Sequence, residues 1–133
     1  MRVFLVPQVA KLLRRERVPE AALCKPAREV LAGRLGAGEA DLGEGLFKKR
    51  LARPGGGKSG GYRVIVAYRK PGTERVLFAY AFAKNAASTL TSQGHAALVT
   101  VAAAFLAAKD EQVAALLAYG DVSEVTCNAD EQG

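Results

Sequence analysis

The spacing of apolar and polar residues changes along the chain, and each change marks an element. Val3 to Val6 is a short β-like run closed by Pro7. Val9, Leu12 and Leu13 then recur at helical spacing amid Lys11, Arg14 and Arg15, which predicts a short amphipathic helix. Pro19 and Glu20 suit the first turn of a second helix, with Leu23, Ala27, Val30 and Leu31 as its buried stripe and Gly33 as its stop. Gly33 to Gly45 carries five glycines in thirteen residues and reads as a loop. Three strands follow, over about 45–52, 62–69 and 75–83. They are joined by ARPGGGKSGG and by Pro71–Glu74, short connections that make antiparallel neighbours. RVLFAYAFA is apolar on both faces, so the third strand belongs in the middle of the sheet. Asn85 or Ser88 can cap a long helix marked by Leu98, Val101, Phe105 and Leu106, and Val113 to Leu117 predicts a short final one. The order β-α-α-β-β-β-α predicts an α+β domain: a small antiparallel sheet packed against N-terminal and C-terminal helices, with the helices on one side of it.

Composition narrows the function classes. A chain of 133 residues, half of them hydrophobic, is enough for one compact domain with a core and too ordered in composition for wholesale disorder. The longest apolar stretch, Ala96 to Ala108, is too short for a bilayer, which needs roughly 20 apolar residues. MRVFLVPQVAKLLRRER places Arg clusters after a short apolar run, which is not a secretory pattern. Cys24 and Cys127 are far apart with no CxxC and no flanking His, so the expectation is a pair of reduced thiols in a soluble, unexported, cytoplasmic chain.

Charge is divided unevenly. Residues 1–84 hold 18 of the 19 basic residues and carry a net +11, whereas residues 85–133 carry −5. Lys48 to Lys70 contains eight basic residues and no acid, a block that either stays solvated or meets a polyanion. GGGKSGG is not a P-loop: Ala52 stands where the first glycine is needed, and a strand rather than a helix follows Lys58-Ser59. Its glycines still leave Lys58 on an exposed turn, where amides and an ammonium can face a phosphate.

No Ser-His-Asp or Cys-His arrangement and no metal-ligand cluster is visible. His95, early in the long helix and without a Cys or carboxylate cluster, reads as a surface or packed helix residue. Any catalysis then rests on Lys, Arg and Tyr, which suit phosphoryl chemistry on RNA, where the substrate brings its own 2′-hydroxyl nucleophile. If Pro71–Glu74 is a four-residue loop, Arg63 lies opposite Phe82 and shares a face with Tyr80 and Phe82, with Lys84 extending the row. One residue more would send Arg63 to the other face. Tyr62, Tyr80 and Phe82 are either ordinary β-core rings or platforms for unpaired bases.

The run LGEGLFKKRLARPGGGKSGGYRVIVAYR, followed by FAYAFAKN, resembles the core of RelE/HigB-type toxins of bacterial type II toxin–antitoxin modules, within the RelE/ParE superfamily. The resemblance spans residues 1–125 as a single toxin domain and leaves 126–133 as a disordered tail. It implies a RelE-like fold and an endoribonuclease, an mRNA interferase that enters the ribosomal A site and cleaves mRNA without a metal or other cofactor. The implied partner is a cognate antitoxin, resembling a helix-turn-helix DNA-binding protein. Carried onto this sequence, the resemblance assigns Arg63, Lys84, Lys58 and Tyr62 to the catalytic surface. It assigns Lys48, Lys49, Arg50 and Arg53 to RNA binding, with Tyr80 and Phe82 as stacking rings. Two rival readings stay open: a ParE-like toxin that poisons a topoisomerase, and a non-catalytic RNA-binding or decayed toxin. The chain departs from the pattern after FAKN, where no charge appears between Lys84 and Lys109 and Gly94 interrupts the helix at a cost of about 1 kcal/mol. That helix is therefore expected either to be more buried or to cover a partner contact.

Overall fold

The computed structural model describes residues 1–52, 61–69, 74–84 and 90–127. Strand β1 (Arg2–Leu5) leads into helix α1 (Pro7–Arg15). A 3-10 turn (Glu20–Leu23) runs directly into α2 (Cys24–Leu31). Strands β2 (Ala40–Gly43), β3 (Leu46–Leu51), β4 (Tyr62–Ala67) and β5 (Arg75–Ala83) follow. Helices α3 (Ser92–Ala107) and α4 (Asp110–Tyr119) and strand β6 (Ser123–Val125) complete the order. The strands form one six-stranded sheet in the order β2-β3-β4-β5-β1-β6. Its pairs are antiparallel except β1 with β5, which is parallel. This is the expected α+β class, with the apolar β5 inside the sheet.

The helices lie on both faces, not one. Val3, Leu5, Val64, Val66, Val76 and Phe78 point toward α1 and α2 and pack on Val9, Leu13 and Ala27. Phe4, Leu46, Ile65, Ala67 and Leu77 point the other way and pack on Ala102, Phe105 and Val113 of α3 and α4. Because alternate residues of each strand face opposite sides, strands apolar on both faces require two helical layers. Phe4 and Phe105 meet edge to face at 5.1 Å.

Two strands escape the sequence pattern. β2 lies inside the stretch expected to be a loop. It pairs with β3 through a two-residue turn, Glu44 (φ 55°) and Gly45 (φ 81°), both in the left-handed region that matches the twist of a tight hairpin. Four residues that include Asp and Gly carry too little alternation to be read as a strand. The three-residue β6 adds to the outer edge of β1, where Arg2 Nε and Nη2 each donate to a Glu124 carboxylate oxygen at 2.9 Å.

The capping of α3 also differs. Thr91 is its N-cap, with Oγ1 accepting from the Gly94 amide at 2.9 Å, so the helix starts later than Asn85 or Ser88 would place it; both lie outside the described residues. Nor is α3 more buried: only Ala102 and Phe105 are fully covered, and Val101, expected in the core stripe, is 50% exposed. At its other end, the buried Arg75 donates from Nη1 to the carbonyls of Phe105 (2.7 Å) and Ala108 (2.9 Å), and its Nη2 donates to Asp110 (3.1 Å). A cation there satisfies carbonyls that the helix leaves open.

Cys24 and Cys127 form a disulfide, contrary to the expected reduced pair. The edge position of β6 carries the chain back to α2 and brings the two Cα atoms to 5.7 Å, within bonding range. Cys127, assigned to the tail by the sequence, is thus tied to the domain; residues 128–133 lie outside the described residues. Among the described residues no helix is long and apolar enough to cross a membrane. Beyond the reach of β1, the Gln8 side chain exchanges two hydrogen bonds with the Ala81 backbone, Nε2 to the carbonyl at 2.7 Å and the amide to Oε1 at 2.9 Å.

Candidate functional site

The β4–β5 ladder decides which side chains meet. At the hairpin end Ala67 pairs with Leu77 and Val66 with Phe78, one residue out of the register that a four-residue loop sets. A bulge at Ala79 restores it, so that Ile65 faces Tyr80 and Arg63 faces Phe82. Arg63 therefore shares its face with Tyr80 and Phe82, as the four-residue loop requires, although the pairing near the loop itself is shifted. Beyond β5, the Lys84 amide donates to the Gly61 carbonyl at 3.1 Å. Gly61 is needed for that approach, since a Cβ there would sit 2.6 Å from the Leu51 carbonyl oxygen.

These residues open onto a cleft of about 620 Å³ between the sheet and the start of α3. Lys48 of β3, Arg63 of β4, Lys84 after β5 and His95 of α3 line it, with Thr91 and Ser92 at the helix start. Leu42, Ile65, Phe82 and Leu90 supply the apolar wall. No carboxylate lines it among the described residues, and the first turn of α3 contains no acid, so the partial positive charge of the helix start is not neutralised locally. Arg63 Nη1 is buried with no acceptor among the described residues. Above the guanidinium, Gly38 (φ 76°) is so close that a Cβ would lie 3.4 Å from Arg63 Nη2. Three cations, a donor lacking an acceptor and one aromatic wall suit an anionic ligand carrying a planar group.

Not every residue assigned by the sequence belongs here. Lys48, Arg63, Lys84 and Phe82 line the cleft. Tyr80 lies beside Phe82, ring centroids 5.9 Å apart, half-buried against the core under α3 and α4. Arg50 pairs with Arg63 across β3–β4 and so shares its face, and its Nη1 donates to the Ala37 carbonyl at 3.3 Å. Arg53 and Lys58 lie outside the described residues.

Lys49 and Tyr62 are corrections. Lys49 is 1% exposed on the opposite face of β3. Its ammonium contacts Glu39 Oε1 (2.7 Å) and Glu29 Oε1 (3.2 Å) and donates to the Arg34 carbonyl (3.0 Å), so it is held within the fold and away from the cleft. Burial would push the Glu39 carboxyl up, but hydrogen bonds from the Arg50 amide, Lys49 and the Gly36 amide outweigh it and hold the group below its ordinary value. Tyr62 is 2% exposed in the core beneath α1, its hydroxyl donating to Glu16 Oε1 at 2.6 Å. Both corrections have one cause: neighbours in a strand point to opposite faces, so a run such as KKR or YR divides between layers.

Leu42 is a cleft residue that the sequence reading passed over, and His95, read there as a surface or packed helix residue, also lines the cleft. His95 falls in the first turn of α3 because Thr91 is the cap; with a cap at Asn85 or Ser88 it belongs a turn or more into the helix. A Thr three residues before a Gly was the available signal. Leu42 was hidden with β2.

The sequence model of the family described as the RelE toxin of the RelE/RelB toxin–antitoxin system matches residues 1–125. No curated protein matches the chain. A family match over nearly the whole length, on an α+β fold carrying this cationic cleft, implies a cognate antitoxin as partner. The chain belongs to the RelE toxin family and is the toxin of a toxin–antitoxin system.

Proposed function

We propose that this toxin is a ribosome-dependent endoribonuclease that cuts mRNA in the A site, using the 2′-hydroxyl of the RNA as nucleophile. The observation that carries the reading is the cleft itself, in which Lys48, Arg63 and Lys84 converge beside Phe82 with no lining carboxylate among the described residues. A guanidinium whose buried Nη1 has no acceptor among the described residues is matched to phosphoryl oxygens, whose negative charge grows as the pentacoordinate state forms. Lys84 adds a second cation at that phosphate and a proton for the leaving 5′-oxygen, Lys48 holds the neighbouring backbone, and Phe82 offers a ring on which a base can stack. By resemblance, Lys58 joins the catalytic residues and Arg53 those that bind RNA. The nucleophile comes from the substrate, and the ribosome positions the message.

Mapping mRNA ends in cells after a brief pulse of the protein, beside an Arg63→Ala control, tests this. New ends inside translated frames are expected, absent from the control and abolished when initiation is blocked. Intact messages with growth arrest and DNA-damage signals would overturn the reading in favour of topoisomerase poisoning. Intact messages with normal growth would overturn it in favour of a binding protein without catalysis.

A further inference from the structure

We infer that His95 is the general base of the cleft, accepting the proton of the RNA 2′-hydroxyl. The assignment rests on the endonuclease reading above and adds the one role that reading leaves unfilled. Transesterification needs a group that removes a proton and a group that supplies one. A guanidinium keeps its proton at neutral pH, and an ammonium accepts one only where neighbouring cations have first driven its own proton off. Among the described residues lining the cleft, the remaining polar side chains are the hydroxyls of Thr91 and Ser92 and the imidazole of His95. Thr91 Oγ1 is already engaged with the Gly94 amide. An imidazole nitrogen is the side-chain acceptor suited to reversible proton transfer near neutrality.

The placement is specific to the fold. Thr91 starts α3 just after the sheet turns away at Lys84, which sets His95 in the helix's first turn on the cleft wall. Among the described residues, the charged side chains that line the cleft with it are Lys48 from β3, Arg63 from β4 and Lys84 beyond β5, and α3 itself contains no Lys, Arg, Asp or Glu. In the step, the O2′–H bond breaks and its proton passes to the imidazole as O2′ bonds to phosphorus. The P–O5′ bond then breaks and the 5′-oxygen takes a proton from the Lys84 ammonium. The products are a 2′,3′-cyclic phosphate and a 5′-hydroxyl, and exchange with water resets both side chains.

The test is single-turnover cleavage of mRNA on programmed ribosomes from about pH 5 to about pH 9, comparing wild type, His95→Ala and His95→Gln, with thermal melts of each. Wild type is expected to speed up as the pH rises through the lower part of that range. The glutamine variant, folded as wild type, is expected to be slower by about 100-fold or more and to lose that rising limb. A folded variant within about threefold of wild type, or a slower one that keeps the limb, overturns the assignment. Wild type that leaves ribosome-bound mRNA intact overturns the endonuclease reading itself, and the two failures are distinguished by whether wild type cuts.

Discussion

Lys49 Nζ stands 2.7 Å from Glu39 Oε1 in the layer between β3 and α2, on the far side of the sheet from the cleft. The middle lysine of a KKR run is thus a buried strut that ties the glycine-rich segment before β2 to the sheet. Removing one partner of such a pair strands the other charge. Lys49→Ala is expected to lower the unfolding free energy by about 3 kcal/mol, read from urea titrations. An unchanged midpoint would show that the pair adds nothing to the fold.

The same carboxylate sets an acid limit. Glu39 is held below its ordinary 4.5 in the folded chain, so it binds its proton less readily there than when unfolded. Its contribution is complete above the ordinary carboxylate range and fades as pH falls through the depressed folded value. Melts of wild type and Glu39→Gln should differ most near neutrality and converge as the pH falls below the ordinary carboxylate range. A constant gap across that range would contradict the linkage.

Arg63 reaches the cleft through the register of β4 and β5, so its loss should affect reaction more than folding. Arg63→Ala is expected to slow ribosomal mRNA cleavage by about 10²–10³-fold. Arg63→Lys should recover little of that, because an ammonium cannot reproduce the planar pair of donors. Full activity in a folded alanine variant would remove Arg63 from the chemistry.

Tyr62 precedes Arg63 and does a different job. Tyr62→Phe deletes a 2.6 Å hydrogen bond to Glu16 and leaves the ring in the core. The expected cost is about 1.5–3 kcal/mol of stability, with cleavage on the ribosome unchanged. A variant of normal stability that fails to cleave would return Tyr62 to the reaction.

The disulfide spans 103 residues of sequence. Closing so long a loop restricts the unfolded chain, and reduction is expected to lower stability by about 2–4 kcal/mol. Amide exchange should report the first loosening at Ser123–Val125, the short edge strand that the bond anchors. Alkylation of native protein without reductant should modify neither Cys24 nor Cys127.

Much of this architecture can be read from the residues alone. The bounds of β5 follow from RVLFAYAFA, whereas the pairing of Arg63 with Phe82 also rests on a bulge at Ala79 that a count across the loop does not show. Elements that owe their existence to partners are not legible in this way. Ser123–Val125 is a strand only because β1 offers an edge, and Ala40–Gly43 only because a left-handed turn folds it onto β3. Charge is legible as composition but not as placement: Lys48 and Lys49 look alike in sequence, and the pleat sends one to the cleft and the other into the opposite, buried layer. The sequence places His95 early in its helix, but its position on the cleft depends on the cap at Thr91 and on the sheet facing it.

The two hydrogen bonds between Gln8 and Ala81 have a further consequence, for how molecules of this chain keep apart. β1 pairs with β5 only as far as Phe78, so the remaining stretch of β5 would present open backbone on that side. Val76 to Ala83 is uncharged, apolar and rich in β-forming residues, the composition that stacks into cross-β assemblies when an edge is free. The Gln8 amide offers Ala81 the donor and acceptor that a neighbouring strand would. One side chain on α1 thereby occupies the backbone groups of Ala81 to which a second molecule's strand would bind.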